Sequence, residues 1–335
     1  MLATNSRILI INLAFIGDVL LSTSVARALR EHCPQAVIDM LTIPLTQPIA
    51  AGNPFVNDVL IYDKRGRHKS VAAAWKLAGE LRRRRYDLAV CTNFAPRGAM
   101  LARAAGIPRR LGYRAQRGEW FLTGAVAVRR DASRHESEHY LDVLAPLGIS
   151  TTDTSLAFSV CAADSAAVRQ KVVRDWNRPL TLLCPVGSYP QKSWTRAGYA
   201  RLLRELAVQT DCYLIGGAGE AAELQTINQQ AGNVAGVLAG VLTLGELAAL
   251  LKAARLLVTV DTGPMHLAGA VGTPVAAFFG PTDPRTWGPR GDRDEIFRFP
   301  ADCAPCWGRV SDCDHRCLEK LEEEKVIHTI LNMLK

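Results

Sequence analysis

Residues 7–32 read RILIINLAFIGDVLLSTSVARALREH, and this stretch decides how the rest of the chain is interpreted. It begins with an aliphatic, β-branched run at 7–13, passes through a turn at 14–17, and continues at 18–32 with apolar residues at helical spacing. A short buried strand, a turn and an amphipathic helix form the repeating unit of α/β proteins. The pattern predicts a mostly parallel sheet covered by helices on both faces.

The same alternation continues to the end of the chain, which at 335 residues is long enough for two domains. A polar stretch ends at Pro179, where a new strand begins. We predict two Rossmann-like domains that face each other across a cleft, at 1–175 and 176–317. A last amphipathic helix at 318–335 could pack back on the N-terminal domain. Further strands are predicted at 36–41, 59–62, 88–92, 125–128, 180–184, 212–215, 256–260 and 275–279.

The composition is typical of a soluble globular enzyme, with 48% apolar and 21% charged residues. No window approaches the roughly 18 uninterrupted apolar residues that a membrane span requires. The first residues carry neither a basic leader nor a small-residue cleavage site, so we expect a cytoplasmic protein.

The positive charge is concentrated in the first half of the chain. The formal net charge is +8, and residues 1–175 contain 24 Lys and Arg against 15 Asp and Glu. This distribution favours an anionic partner for the first domain, such as nucleic acid, lipid headgroups or an acidic sugar. A basic surface kept for solubility is the alternative, and the chain contains no recognised nucleic-acid motif.

The segment LVTVDTGPMHLA at 257–268 combines a buried strand with a helix start and is followed by GPTDP at 280–284. The strand ends at Asp261, and Pro264 suits the first turn of a helix. The exposed amides at 262–265 and the helix dipole would bind a phosphate or diphosphate, with His266 as an added donor. In the alternative interpretation, Asp261 and Thr262 only cap the helix and His266 is an interior residue.

Two other loops follow predicted strands and carry polar side chains. In PVGSYPQKSW at 185–194, Lys192 and Ser188 could neutralise a leaving diphosphate. In IGGAGE at 215–220, Glu220 could hold a ribose hydroxyl, although the glycine spacing is not that of a dinucleotide fingerprint. A surface lysine beside a packing tryptophan and a helix-start glutamate are the structural alternatives.

Asp18 in the first domain is the candidate general base, since it lies at a helix start after a glycine turn. A helix-capping aspartate is the alternative. Basic residues also follow predicted strands of this domain. The candidates for holding acceptor carboxylates or phosphates are Lys64, Arg65, Arg67, Arg97 and Arg114.

Four of the nine cysteines are close together near the C-terminus, at Cys303, Cys306, Cys313 and Cys317. Four thiolates at this spacing could bind a structural zinc ion in tetrahedral geometry. The gap of six residues between the second and third is short for a zinc ribbon, so reduced thiols or a redox-sensitive pair are the alternative.

The ordered set of motifs resembles the ADP-heptose:lipopolysaccharide heptosyltransferases of glycosyltransferase family 9. The set comprises IGD at 16–18, KSW at 192–194, GG at 216–217, VDTGPMHL at 260–267 and GPTDP at 280–284. The resemblance implies a GT-B fold and an inverting transfer that requires no metal or other cofactor for catalysis. It further implies ADP-L-glycero-D-manno-heptose as donor, and Kdo or heptose of the lipopolysaccharide inner core as acceptor.

The resemblance also implies a role for each matched residue. Asp18 would be the catalytic base and Glu220 a ribose contact, for which Glu223 is an alternative alignment. The diphosphate and sugar contacts would be Ser188, Lys192, Asp261, Thr262, Gly263 and His266. Because that acceptor is anchored in the inner membrane, the protein is expected to be peripheral on the inner leaflet. The resemblance also implies that the protein binds no nucleic acid. Transfer from another nucleotide sugar remains an alternative, and a basic nucleic-acid-binding protein is a more distant one.

Overall fold

A computed structural model describes residues 3–114, 118–128, 131, 133–307 and 317–335. The chain divides into two compact units, the first ending at Ser159 and the second spanning Val160–Lys335. Each unit contains a six-stranded sheet in which all paired strands are parallel. The predicted fold class, α/β with two Rossmann-like sheets, is therefore confirmed.

The strands are short and mostly buried, as expected for sheets covered on both faces. Those of the first unit are β1 (Arg7–Ile11), β2 (Val37–Thr42), β3 (Asp58–Ile61), β4 (Leu88–Cys91), β5 (Arg109–Arg114) and β6 (Gly124–Ala127). Those of the second unit are β7 (Leu180–Cys184), β8 (Asp211–Gly216), β9 (Gly236–Ala239), β10 (Leu256–Val260), β11 (Val275–Phe278) and β12 (Glu295–Phe297).

Helices connect successive strands in both units. The first unit contains α1 (Ile16–Leu21), α2 (Thr23–His32), α3 (Gln47–Ala51), α4 (Val71–Arg83), α5 (Pro96–Ala104) and α6 (Glu136–Leu141). The second contains α7 (Ala162–Lys171), α8 (Arg196–Gln209), α9 (Ala221–Gln230), α10 (Leu244–Ala253), α11 (Gly263–Val271), α12 (Pro284–Trp287) and α13 (Glu323–Asn332). Single 3₁₀ segments lie at Pro44–Thr46, Glu119–Phe121, Asp142–Leu147, Pro190–Lys192, Ala218–Glu220 and Leu318–Lys320.

Both sheets have the same strand order. The first is β3-β2-β1-β4-β5-β6 and the second is β12-β11-β10-β7-β8-β9, which is the doubly wound order in each case. The direction of winding reverses between β1 and β4 in the first sheet and between β7 and β10 in the second. At such a switch point the loops leave the sheet in opposite directions and open a crevice at the carboxyl ends of the strands.

One predicted helix differs from the structure, and one segment with no predicted strand forms a strand. The stretch at 18–32, predicted as one helix, is divided into α1 and α2 at Ser22. The hydroxyls of Ser22, Thr23 and Ser24 donate to the carbonyls three residues earlier, at 2.9, 2.6 and 3.0 Å, and such bonds disturb a helix. In addition, Arg109–Arg114 forms β5, in which the consecutive residues Leu111, Gly112 and Tyr113 are buried between parallel β4 and β6.

The second unit begins before the predicted domain boundary at 175/176. Helix α7 packs on α10, and the Lys171 ammonium lies 2.7 Å from Glu246 Oε1. Helix α13 packs on α8 and contributes Val326, Ile327 and Ile330 to the core of the second unit. Packing of this helix on the N-terminal domain stays a prediction.

Within the residues that the structure describes, no helix is both long enough and apolar enough to span a bilayer.

Candidate functional site

The carboxyl ends of β7 and β10 lie side by side in the second unit, since Cys184 is in register with Thr259. The loop that follows β7 contains Lys192, and the turn that follows β10 begins at Asp261. Parallel pairing therefore brings together two motifs that are far apart in the sequence. They meet at the switch point of the second sheet, the place where open α/β sheets bind ligands.

Lys192 and Asp261 form a shielded ion pair at this point. The ammonium lies 2.8 Å from Asp261 Oδ2 and also donates to the Asp261 carbonyl at 3.0 Å. Their side chains are only 11% and 9% exposed, so neither charge is well solvated. An ammonium has three donors, and these contacts use two of them. Lys192 can therefore donate to a bound anion without leaving Asp261.

Packing of Trp194 holds the Lys192 loop in place. Trp194 is buried and stacks on Phe278 of β11, with ring centroids 5.0 Å apart. Gly187 is required nearby, because a Cβ there would lie 2.6 Å from the Cβ of Lys192. Trp194 is thus a packing residue, as in the alternative interpretation given above. Lys192 is not the surface lysine of that interpretation, because it belongs to the shielded ion pair.

Helix α11 begins immediately after Asp261, with Thr262 as the N-cap and Pro264 in the first turn. The Thr262 side chain makes no capping hydrogen bond, and its hydroxyl lies 4.0 Å from the Cys184 sulfur. His266 is buried one turn into the helix. Pro264 has no amide hydrogen and the Met265 amide donates to the Thr262 carbonyl at 3.1 Å, so the Gly263 amide and the helix dipole are what this end of α11 presents to an anion.

The other predicted donor contacts follow β7 and β8. Ser188 is exposed on the Lys192 loop. Glu220 accepts a hydrogen bond from the Gly217 amide at 2.8 Å and therefore orders the turn after β8. The carboxylate of Glu223, the alternative, lies 2.6 and 2.7 Å from two nitrogens of Arg196. Because Arg196 engages Glu223, Glu220 is the better candidate for a contact to ribose at the end of β8. That contact stays a prediction.

Asp18 lies at the corresponding position of the first unit, in the loop and helix that follow β1 at the β1/β4 switch point. It is the third residue of α1, and the N-cap is Phe15. Its Oδ2 accepts a hydrogen bond from the Phe15 amide at 3.3 Å, and its Oδ1 accepts one from the Tyr140 hydroxyl at 2.9 Å. The carboxylate is half-buried, so it is held in place but remains accessible.

The predicted acceptor residues follow other strands of the same sheet. Lys64, Arg65 and Arg67 lie in the loop after β3, Arg97 lies in the first turn of α5 after β4, and Arg114 ends β5. Arg65, Arg67, Arg97 and Arg114 are exposed. Because all strands of this sheet are parallel, these cations and Asp18 share its carboxyl edge.

Two residues near Asp18 were not predicted from the sequence. Asn12 is fully buried at the end of β1 and donates to the Asp18 carbonyl at 3.2 Å. A polar asparagine directly after an aliphatic run was a local sequence signal that could have identified Asn12 as a candidate. Tyr140 lies 122 residues from Asp18 in α6, and no local pattern connects the two.

The cysteine cluster is only partly described. Cys303 and Cys306 are half-buried and Cys317 is buried, whereas Cys313 lies outside the described residues. The amides of Cys306 and Trp307 donate to the Pro281 carbonyl at 3.0 and 2.9 Å, so this segment packs on the GPTDP loop. Among the described residues no three potential ligands form a metal site, and a structural zinc ion stays a prediction.

The two units thus present complementary chemistry. The second offers a shielded cation and a helix N-terminus, which suit a diphosphate. The first offers an oriented carboxylate beside several cations, which suits deprotonation of a hydroxyl on an anionic molecule.

The chain is similar to known proteins along most of its length. A family model for glycosyltransferase family 9 (heptosyltransferase) matches residues 74–316. Lipopolysaccharide heptosyltransferase 2 of Escherichia coli K12 is 26% identical over 306 residues, covering 88% of each chain. The crystal structure of a family 9 glycosyl transferase from Veillonella parvula DSM 2008 matches with a TM-score of 0.91 at 24% identity, covering 100% of this chain and 98% of that one.

A second solved structure has the same fold. ADP-heptose lps heptosyltransferase II of E. coli matches with a TM-score of 0.81 at 23% identity, covering 98% of both chains. The roles of the individual site residues remain predictions.

We expect Lys192→Met to destabilise the protein, because it leaves the poorly solvated Asp261 carboxylate without a cation. Removing one partner of a buried ion pair costs about 3–5 kcal/mol, so the Tm should fall by roughly 5 °C or more. Calorimetric unfolding of the purified protein measures this change. Arg196→Met, which breaks the more exposed pair with Glu223, is the control and should barely move the Tm. Equal Tm values for the two variants would contradict the expected energetic role of Lys192.

Proposed function

The chain belongs to glycosyltransferase family 9, the heptosyltransferase family, and from this premise we propose that it transfers heptose to the inner core of lipopolysaccharide. The proposed donor is ADP-L-glycero-D-manno-heptose and the proposed acceptor is Kdo or heptose. The observation that carries the proposal is the shielded Lys192–Asp261 pair beside the start of α11, which suits the diphosphate of a nucleotide sugar.

The donor half of the proposal concerns the second unit. Lys192, the Gly263 amide and the helix dipole at the start of α11 would bind the diphosphate, and Ser188 would contribute a hydroxyl. Glu220 would accept a hydrogen bond from a ribose hydroxyl, and His266 would donate near the sugar and phosphate. As ADP departs, its developing negative charge is stabilised by donors already in place. The protein itself thus supplies the positive charge that stabilises the departing ADP.

The reaction is a single displacement with inversion. The acceptor hydroxyl oxygen attacks the anomeric carbon of heptose, forming the new glycosidic bond. The bond from that carbon to the β-phosphate oxygen breaks, and ADP leaves with the electron pair. Asp18 takes the hydroxyl proton through Oδ2, since Oδ1 is engaged by Tyr140. Cations at the carboxyl edge of the first sheet would hold the acidic groups of the acceptor.

The proposal is tested by incubating the protein with ADP-heptose and defined inner-core acceptors and measuring the product mass. The expected product is heavier than the acceptor by one heptose residue. Thermal protection by ADP-heptose, ADP-glucose and UDP-glucose is measured in parallel, because a specific donor raises the Tm by binding only the folded state. Protection by another nucleotide sugar, without heptose transfer, would contradict the proposed donor.

We expect Asp18→Asn to reduce turnover by about 10²- to 10⁴-fold, because the amide cannot accept the acceptor proton. The affinity for ADP-heptose, measured by calorimetry, should remain unchanged. Asp58→Asn is the matched control, since Asp58 begins β3 at the opposite edge of the same sheet and should leave turnover unchanged. Turnover of Asp18→Asn close to that of the wild type would refute the assignment of the base.

We further propose that the protein associates peripherally with the inner leaflet of the inner membrane through the start of α4. Val71 and Trp75 are 75% and 62% exposed and lie one turn apart on this helix. The preceding loop carries Arg65, Arg67 and Lys69, all exposed. An exposed tryptophan and valine beside cations suit the interface of an anionic bilayer. The lipid-anchored acceptor would be presented at the same surface.

We expect the double variant Val71→Ser/Trp75→Ser to lose most binding to vesicles containing phosphatidylglycerol, as measured by cosedimentation. Wild-type binding should weaken with salt and be absent from pure phosphatidylcholine. Val208→Ser, which alters a 77% exposed valine on α8, is the control and should bind like the wild type. Retained binding by the double variant would exclude this surface as the membrane contact.

A further inference from the structure

The hydroxyl of Tyr140 donates to Asp18 Oδ1 at 2.9 Å, linking α6 to the start of α1. Tyr140 is only 3% exposed, so this hydrogen bond is shielded from water. Hydrogen bonds to a charged acceptor are stronger than neutral ones, and shielding from solvent strengthens them further. The bond therefore constrains the rotamer of the Asp18 side chain.

The two oxygens of Asp18 have different surroundings. Oδ1 is engaged by Tyr140, whereas Oδ2 receives the Phe15 amide at the longer distance of 3.3 Å. A carboxylate oxygen has lone pairs for more than one donor. Oδ2 thus retains the capacity to accept a proton from a hydroxyl group. The hydrogen bond to Oδ1 fixes the orientation of the carboxylate.

Tyr140 can act only as a donor to this carboxylate near neutral pH. Burial raises the pKa of its phenol well above the usual value, and the nearby Asp18 and Glu136 carboxylates raise it further. The phenol therefore stays protonated over the range in which an enzyme works. A protonated phenol beside a carboxylate stabilises the charged form of the carboxylate.

The backbone around Tyr140 is itself anchored. Tyr113 of β5 donates its hydroxyl to the carbonyls of His139 and Tyr140, at 3.0 Å each. The His135 ring accepts from the Ser137 amide at the start of α6. The helix is therefore fixed to the sheet, so Tyr140 is a rigid support rather than a mobile side chain.

We propose that Tyr140 is a positioning residue that holds Asp18 ready to accept the proton of the acceptor hydroxyl. The proposal rests on the function proposed above for Asp18. Tyr140 acts through Asp18 and neither contacts the substrate nor takes the proton. Without its hydroxyl, Asp18 would gain other rotamers and its carboxylate would lose a stabilising donor.

Other ionisable groups face Tyr140 and must be kept unchanged in any comparison of variants. Glu136 and His139 lie on the same helix, with His139 Nδ1 3.1 Å from Glu136 Oε2, and Tyr113 lies on the neighbouring strand. Replacing tyrosine by phenylalanine leaves these groups in place. A difference between the wild type and Tyr140→Phe then reports the lost hydroxyl.

We expect Tyr140→Phe to lower kcat about tenfold with little change in the KM for ADP-heptose, because donor binding does not involve Asp18. The double variant Asp18→Asn/Tyr140→Phe should turn over no more slowly than Asp18→Asn alone, because Tyr140 acts only through Asp18. Tyr86→Phe is the matched control. Tyr86 is also buried and donates to a carboxylate, Asp39 Oδ2 at 2.5 Å, but precedes β4 at the opposite edge of the sheet.

A second readout does not depend on activity. The carboxyl carbon of Asp18 is observed by nuclear magnetic resonance at neutral pH in protein labelled at aspartate, with Asp18→Asn providing the assignment. Its resonance should move in Tyr140→Phe, which lacks the hydrogen bond, and should stay in place in Tyr86→Phe. Should Tyr140→Phe fail to fold, 3-fluorotyrosine introduced at position 140, a stronger donor, should move the resonance in the opposite direction.

The outcomes separate the two proposals. A wild-type protein that transfers no heptose refutes the proposed function, while the carboxyl resonance of Asp18 still tests the Tyr140–Asp18 bond. A wild-type protein that transfers heptose, together with kinetics and an Asp18 resonance unchanged by Tyr140→Phe, refutes the positioning role alone. A tenfold loss that Tyr86→Phe reproduces would also refute it, since the effect would then be structural.

Discussion

Parallel pairing of β7 with β10 is the constraint on which the candidate donor site depends. Parallel strands end at the same edge of a sheet, so residues that follow them meet there whatever their separation in sequence. Lys192 follows the first strand and Asp261 the second, and the register of Cys184 with Thr259 places both at that edge. Reversal of the winding at this point opens the crevice that a ligand needs.

The surrounding core keeps this edge rigid. Trp194 stacks on Phe278, which in turn stacks on Phe297 of β12 with ring centroids 5.2 Å apart. The loop that carries the lysine is therefore attached to the hydrophobic centre of the second unit. Fixed donors stabilise developing charge without having to reorganise, so a lysine in the role proposed for Lys192 would need to be held by packing in this way.

The first unit repeats the arrangement with different chemistry. Its sheet has the same order, and Asp18 follows β1 just as Lys192 follows β7. Here the side chain at the switch point is an acid, held by Tyr140 and by the Phe15 amide. Exposed arginines lie along the same edge. One strand order thus presents an acid in one unit and a lysine in the other, because the loops that follow the strands carry different side chains.

Local sequence patterns determined most of the strands, the two-sheet organisation and the loops that carry Asp18, Lys192 and Asp261, because burial periodicity and glycine turns act over a few residues. They did not reveal the break at Ser22, where hydroxyls bond back to the helix, or strand β5, in which arginines and a glycine outnumber the apolar residues. Nor could they show that Glu223, rather than Glu220, is paired with an arginine, since the Glu223–Arg196 contact joins α9 to α8. Only the tertiary structure decided that Tyr140 supports Asp18 and that Lys192 pairs with Asp261, because hydrogen bonds and ion pairs depend on distances set by sheet order and not by sequence separation.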